Sequence, residues 1–383
     1  MPLFAFGSNS CGQLALGHVE DVSIPTRCLF YEDPDPTTQN DIIRIAAGGN
    51  HTLVLFGNGA VYAAGCNVDG RCGRQQQQGK DDESILRFRR VVLTTEDGKV
   101  FDTFKDMSAT WEGSFLVAWS GDDNVTLVLG TGAKGELGLG TARTQSPTPI
   151  PISNFPPPRT SVVSIASGMG HTATVLSNGE VYGWGGARKG QLGEGAKAGK
   201  IEWSPVKIAD VPFYATAVTC GREFTVVSGD KEKGEYVVLG SSGDKWGVLS
   251  GQPGSFFNDG ARVLPVYTGI SAGWHAIYVH HQRQEEGHAS ITAWGRNDRG
   301  QLPPADLPSA KMLAVGSEHA LALLDDGTVA VFGWGEHGNC GTEIDAQGNV
   351  KERYNRIDIS EIGHERVIVG IGAGCATSWV ITS

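Results

Sequence analysis

The sequence predicts an all-β protein, a seven-bladed β-propeller closed by pairing of its N- and C-terminal strands within one blade. Three observations carry that expectation. A glycine-punctuated unit of strand-forming residues recurs along the 383 residues. One copy is divided between the two chain ends. Glycine, at 54 residues, is about twice its usual ~7% share, without a collagen period and without confinement to a linker.

The clearest unit runs from Val162: Gly168-Met-Gly-His171, a strand-like run Thr172-Ala-Thr-Val-Leu176, the turn Asn178-Gly179, Val181 to Trp184-Gly185, then Gly190-Gln-Leu-Gly193. The same grammar returns from Ile42 and from Leu313, with Gly48-Gly-Asn-His51 and Gly316-Ser-Glu-His319 at the corresponding place. Three further copies, Phe104 to Gly140, Ala215 to Gly251 and Tyr267 to Pro304, are degraded. Short β-branched and aromatic runs bounded by glycine read as strands, and Asn-Gly or Asp-Gly between two of them reads as a type I′ hairpin. Leu192 of the Gly-Gln-Leu-Gly turn is expected to plug the contact between blades.

The seventh copy is split. Val369 to Thr382 supplies its first half, and Phe4-Ala-Phe-Gly-Ser-Asn9 with Gly12-Gln13-Leu14 its second. A unit shared between chain ends closes a circular array, whereas an open solenoid needs polar caps. Blades are therefore expected at 42–74, 104–140, 162–195, 215–251, 266–304, 311–343, and 367–383 plus 1–18, making residues 1–383 a single domain.

Composition narrows the function classes. With 31 Lys+Arg against 42 Asp+Glu the net charge is −11, which argues against a sequence-independent grip on nucleic acid. No apolar run reaches the ~18 residues of a membrane span, and Met1-Pro2-Leu3-Phe4 does not read as a signal peptide. Seven scattered cysteines, never spaced Cys-x-x-Cys, suit a reduced compartment, the cytoplasm with the nucleus as a second location.

The motifs that resemble chemistry have simpler readings. Gly130-Thr-Gly132-Ala-Lys-Gly135 and Gly333-Trp-Gly335-Glu-His-Gly338 match a dinucleotide pattern, yet neither opens a helix. His51, His171 and His319 sit on different blades and are expected to donate a ring N–H to backbone at a strand end, with no metal site. His280, His281 and His288 flank a polar insert, Gln282 to Gly287, read as an extended loop. Cys66 and Cys72 fall outside zinc spacing. No Gly-x-Ser-x-Gly elbow is present, so no catalytic residue and no cofactor is assigned. Gln75–Gln78 with Gly79-Lys-Asp-Asp82 reads as a low-complexity insert. The acidic clusters Asp81-Asp82-Glu83, Asp122-Asp123, Glu285-Glu286 and Asp325-Asp326 add a negative field able to steer a basic partner.

Aromatic placement points to a surface. Trp184, Trp294, Trp334 and Trp379 are expected in the core. Trp111, Trp246 and Trp274 lie in or beside inter-strand turns instead. Antiparallel strands put the first-to-second and third-to-fourth turns of every blade on one face, so the Gly-x-x-His turns form a ring around the central channel. The partner-binding residues expected there are Trp111, Glu112, Met169, Arg222, Glu223, Trp246, Trp274, His275 and Glu318, with Asn50 and Ser317 at the same turn positions.

The units resemble the repeats of the regulator of chromosome condensation family, with its Ala-Gly-x-x-His and Trp-Gly-x-Asn-x-x-Gly-Gln-Leu-Gly signatures. The opening Phe4-Ala-Phe-Gly-Ser-Asn-Ser-Cys-Gly-Gln-Leu14 and the bare propeller resemble its fungal alpha-tubulin suppressor, or killer-toxin-insensitivity, branch. That resemblance implies a non-catalytic regulatory subunit. Its implied partner is a small zinc- or iron-binding CSL-finger protein of the diphthamide biosynthesis protein 3 type, with Elongator as a further partner. The implied processes are diphthamide formation on elongation factor 2 and Elongator-dependent modification of wobble uridine in tRNA. The broader family implies an alternative, guanine nucleotide exchange on a Ran-like small GTPase. A propeller that senses ultraviolet light through stacked tryptophans finds only Trp274-His275 in support.

Overall fold

Residues Leu3–Gly7 lie between the last strand of the chain, Thr377–Thr382, and Val22–Arg27, with Phe4 opposite Val380 and Ala5 opposite Trp379. Ile368–Ala373 completes this four-stranded blade on its inner side. The two chain ends thus close one sheet, and with six others it makes the seven-bladed propeller. The structure is a computed structural model that describes residues 1–74, 83–120, 123–254, 257–258, 261–281, 290–357 and 367–383. The glutamine-rich insert at 75–82, Asp122, Glu285-Glu286 and His288 lie outside the described residues.

Blades are numbered here in chain order, from inner to outer strand. Blade 1 comprises Ile42–Ala47, His51–Phe56, Val61–Cys66 and Ser84–Arg90; blade 2 comprises Phe104–Ala109, Gly113–Ser120, Asp123–Thr131 and Gln145–Pro151. Blade 3 runs Val162–Ser167, His171–Leu176, Val181–Gly186 and Ile201–Ile208. Blades 4 and 5 have three strands each among the described residues: Ala217–Cys220, Phe224–Ser228, Tyr236–Gly240, and Tyr267–Ala272, Ala276–His281, Ile291–Gly295. Blade 6 is Ala310–Val315, His319–Leu324, Val329–Trp334 and Asn349–Arg356; blade 7 is the composite sheet.

The expected ranges 42–74, 104–140, 162–195, 311–343 and 1–18 all stop before the outer strand. Those strands carry no glycine punctuation and begin after a connecting loop, so the repeat signal fades before they start. The core lies in the seams between blades, where the second and third strands of neighbours meet. In one seam Phe115, Val117 and Val128 of blade 2 pack on Val162, Ile165 and Trp184 of blade 3. Leu14 and Leu192 fill such seams, between blades 7 and 1 and between blades 3 and 4.

Two expectations are corrected and a third is extended. The Asn-Gly turns are not type I′, because only the glycine has positive φ: Gly59 at 84° and Gly179 at 80°, with Asn58 and Asn178 on the negative side. Gly59 N–H donates to Phe56 O (2.9 Å) and Phe56 N–H to Ala60 O (2.9 Å). That is a type I turn followed by a glycine bulge, the three-residue hairpin. Trp334 is half-buried, not core. Phe332 takes the buried position that Trp184 holds, because Gly333 (φ 111°) and not Gly335 matches Gly185 (φ 96°) at the strand end. Finally, the three turn histidines bond to hydroxyls of the next blade, and His171 and His319 also engage the backbone of Phe224 and Thr377 there. His51 Nε2 meets Ser114 Oγ, His171 Nε2 meets Thr225 Oγ1, and His319 Nε2 meets Ser378 Oγ, each at 2.9 Å. Thr225 and Ser378 spend their hydroxyl protons on Gln191 O and Asn339 O (2.8 Å each), so His171 and His319 donate from Nε2. Burial holds all three neutral, His51 down at about 3 and His171 and His319 at about 4.

Candidate interaction surface

The first-to-second-strand turns are tied into a hoop at one end of the channel. Gly49 N–H donates to Trp111 O (2.9 Å) and Trp111 N–H to Met169 O (3.1 Å). On the other arc Arg222 N–H donates to Trp274 O (3.0 Å), Trp274 N–H to Ser317 O (2.8 Å) and Ser317 N–H to Gly374 O (3.0 Å). These bonds satisfy backbone groups of the turns without drawing on the side chains of Trp111, Arg222 or Trp274.

Two of those side chains meet across the mouth. The indoles of Trp111 on blade 2 and Trp274 on blade 5 have centroids 5.9 Å apart and planes inclined at 45°. The Trp111 ring also covers Gly49, where a Cβ would lie 2.7 Å from Cε2. Below the pair is a cavity of about 130 Å³ whose wall includes Ala47, Ser167, Cys220, Ser317 and Cys375. Only small residues fit on the inner strands this close to the axis. Arg222 is exposed, and its guanidinium carbon lies 5.2 Å from the Trp274 ring centroid. An aromatic pair flanked by a stacked cation is a rigid, amphipathic contact patch.

The other expected residues divide by environment. Met169 is half-buried on the hoop, while Glu112 and Glu223 are exposed and loosely paired, with Arg71 at 3.7 Å and Lys189 at 3.8 Å. Glu318 is different. It is only 6% exposed, and its carboxylate accepts from Arg296 Nη1 (2.9 Å) and Gln301 Nε2 (2.6 Å). It organises the face from beneath and is not free to meet a partner. Trp246 sits in the turn that follows the third strand of blade 4, 6.1 Å from the His275 ring of blade 5. Burial, with Arg296 and Arg222 nearby, pushes His275 down to about 4, so it is neutral at pH 7.

Sequence reasoning missed Arg296 and Lys245. The Arg296 guanidinium stacks on Trp246 (4.6 Å) while its Nε and Nη2 donate to Asp298 (2.6 and 2.9 Å). Lys245 approaches the same ring at 4.4 Å. Arg296 had one legible signal: it follows Gly295, which pairs with Ala276, so it had to abut His275. On the blade 1–2 side a buried Arg71 pairs in bidentate fashion with Asp69 (2.7 and 2.9 Å), which also accepts from Thr131 Oγ1 (2.7 Å). Among the described residues no group of three His, Cys, Asp or Glu side chains could hold a metal ion. No described helix is long and apolar enough to cross a membrane.

Comparison with known proteins follows the geometry. The model of the RCC1-like domain matches residues 2–380. An RCC1 repeat-containing protein of Schizosaccharomyces pombe is 28% identical, over 99% of this chain and 98% of its own length. A mouse secretion-regulating guanine nucleotide exchange factor is 26% identical, over 88% of this chain and 75% of its own. Among solved structures, Prp20p from Saccharomyces cerevisiae, described with its binding properties to Gsp1p and histones, is similar at a TM-score of 0.75 and 21% identity. That match covers 100% of this chain and 91% of the other, and it speaks to the fold.

Proposed function

The chain belongs to the RCC1-like domain family, and on that premise we propose that it is a non-catalytic interaction module that grips a protein partner with its turn hoop. The observation that carries this reading is the Trp111–Trp274 pair with Arg222 stacked beside it. Large aromatics and arginine dominate binding energy where they sit central and preorganised. The partner proposed is a small CSL-type zinc-finger electron carrier, with this chain as regulatory subunit in diphthamide synthesis and in Elongator-dependent wobble-uridine modification. The opening Phe4 to Leu14 supports that choice through the branch it resembles. Mixing the purified chain with the zinc-finger protein and measuring heat of binding tests it. A complex at micromolar concentration is expected, and its absence there refutes the partner.

A second reading is nucleotide exchange on a Ran-like small GTPase; the mouse relative's name, a guanine nucleotide exchange factor, favours exchange as such. Exchange requires side chains that displace nucleotide and Mg²⁺, and the exposed Glu112 and Glu223 are the acids available on the hoop. Release of a fluorescent guanine nucleotide from Ran is the direct assay. Stimulation well above the intrinsic rate would promote exchange over the scaffold reading.

A further inference from the structure

The five four-stranded blades share one feature of register. In each, the outer strand bulges opposite a positive-φ glycine near the end of the third strand: Gly7, Gly65, Gly130, Gly185 and Gly333. The residue just past the bulge pairs two positions before that glycine: Thr26 with Ala5, Arg89 with Ala63, Ile150 with Val128, Val206 with Gly183, Asn355 with Val331. In blades 7, 2 and 3 the residue before it is a proline, Pro25, Pro149 or Pro205. Proline suits this place because the bulge there needs no ladder N–H.

Blade 5 presents the same edge with no strand paired to it among the described residues. Gly295 has φ 121°, matching its counterparts. Ile291–Gly295 pairs on its inner side with Ala276–His281 alone. No backbone hydrogen bond joins its outer side to the described segment that follows. Chain length explains why. Only the stretch from Leu302 to Ser309 separates the Gln301 turn from the inner strand of blade 6, too little for a fourth strand and a return. Pro303 and Pro304 also lack the N–H a ladder requires, and Leu302 and Leu307 turn toward the neighbouring core. Thr292 and Ala293 are left half-buried at the rim.

We propose that the outer edge of Ile291–Gly295 is a docking site for an extended partner segment that adds the missing fourth strand to blade 5. Three of the chain's own five outer strands give the pattern of the occupant: a proline in the kink opposite Gly295, followed by an apolar or β-branched residue opposite Ala293, as in Ser204-Pro205-Val206. Main-chain bonds supply affinity in this mode, and the alternating side chains supply selectivity. Gly295 ends this strand beside His275 of the turn hoop, but the edge uses the backbone of Ile291–Gly295 and neither Trp111 nor Arg222, so the peptide test is read separately from the partner complex above.

The test uses a fluorescein-labelled synthetic peptide copying residues 200–209, added to the full-length chain. Saturable binding in anisotropy is expected, with slowed amide exchange at 291–295. Two further peptides carry N-methyl groups on alternate residues, in the two possible frames. A strand donates to one neighbour through alternate residues only. One frame is therefore expected to weaken binding by about tenfold or more, while the other binds like the parent. No binding at millimolar peptide, equal behaviour of the two frames, protection elsewhere on the chain, or occupation of the edge by a second copy in sedimentation would each overturn the proposal.

Discussion

Trp111 and Trp274 belong to blades on opposite sides of the ring, yet their indoles approach to 5.9 Å between centroids and roof the channel mouth. Neither ring is buried, and each is held by its own turn, so the contact is a property of the closed ring and not of any one blade.

Truncating either ring should therefore separate binding from folding. Trp111→Ala or Trp274→Ala is expected to weaken the partner complex by about 2 kcal/mol or more, roughly thirtyfold. Their mutual coupling in a double-mutant cycle on stability should be only about 1 kcal/mol. Calorimetry with the partner and urea titration of the free chain measure the two quantities. Unchanged affinity in both variants would place the binding face elsewhere.

Arg296 predicts the opposite behaviour. Arg296→Ala leaves the 6%-exposed Glu318 carboxylate without its charge partner, at an expected cost of about 3–5 kcal/mol in unfolding free energy. The double variant Arg296→Met with Glu318→Met should recover much of that loss, because no lone charge stays buried. Equal instability of single and double variants would show that packing on Trp246, not charge, is what Arg296 contributes.

Acid should destabilise the propeller through its turn histidines. His171 and His319 are held at about 4 and His51 at about 3, below the ~6.5 of a solvated imidazole. The unfolded chain takes up these protons first, so stability is full above about pH 6.5 and falls as pH drops toward 4. Each histidine should remove about 2 kcal/mol by pH 5. Urea midpoints from pH 7.5 to 5 report the trend, and His171→Gln should flatten it by one proton. A slope indifferent to that substitution would transfer the effect to the carboxylates.

Closure of the ring concentrates strain tolerance at Gly7. Its φ is 115°, and a Cβ there would lie 2.4 Å from Ala376 O, inside the closing blade. Gly7→Ala is expected to cost about 2 kcal/mol or more. Gly98, with positive φ but nothing within 4 Å of its Cβ position, should lose less when changed to Ala. Thermal melts of the two variants make the comparison.

Much of this architecture was legible because its turns are local. Gly190-Gln-Leu-Gly193 announces itself since Gln191 Oε1 folds back to accept from Lys189 N–H (2.9 Å), a bond made within three residues. The outer strands were not legible. Gln145–Pro151 is largely exposed and proline-rich, so neither hydrophobic alternation nor glycine marks it. The turn hoop could be placed on one face by counting strands, but not the Trp111–Trp274 contact, which joins blades that share no seam. The Arg296–Glu318 pair was equally hidden, since it links the end of one blade to the first turn of the next.

The strand Leu3–Gly7, buried throughout, has a consequence during synthesis. It leaves the ribosome about 370 residues before its inner partner Thr377–Thr382. At ~5–20 residues per second, an apolar β-edge waits roughly 20 to 80 s for its mate. Throughout that interval the nascent polypeptide displays an unpaired apolar edge, a ready template for aggregation, until Thr377–Thr382 emerges to cover it.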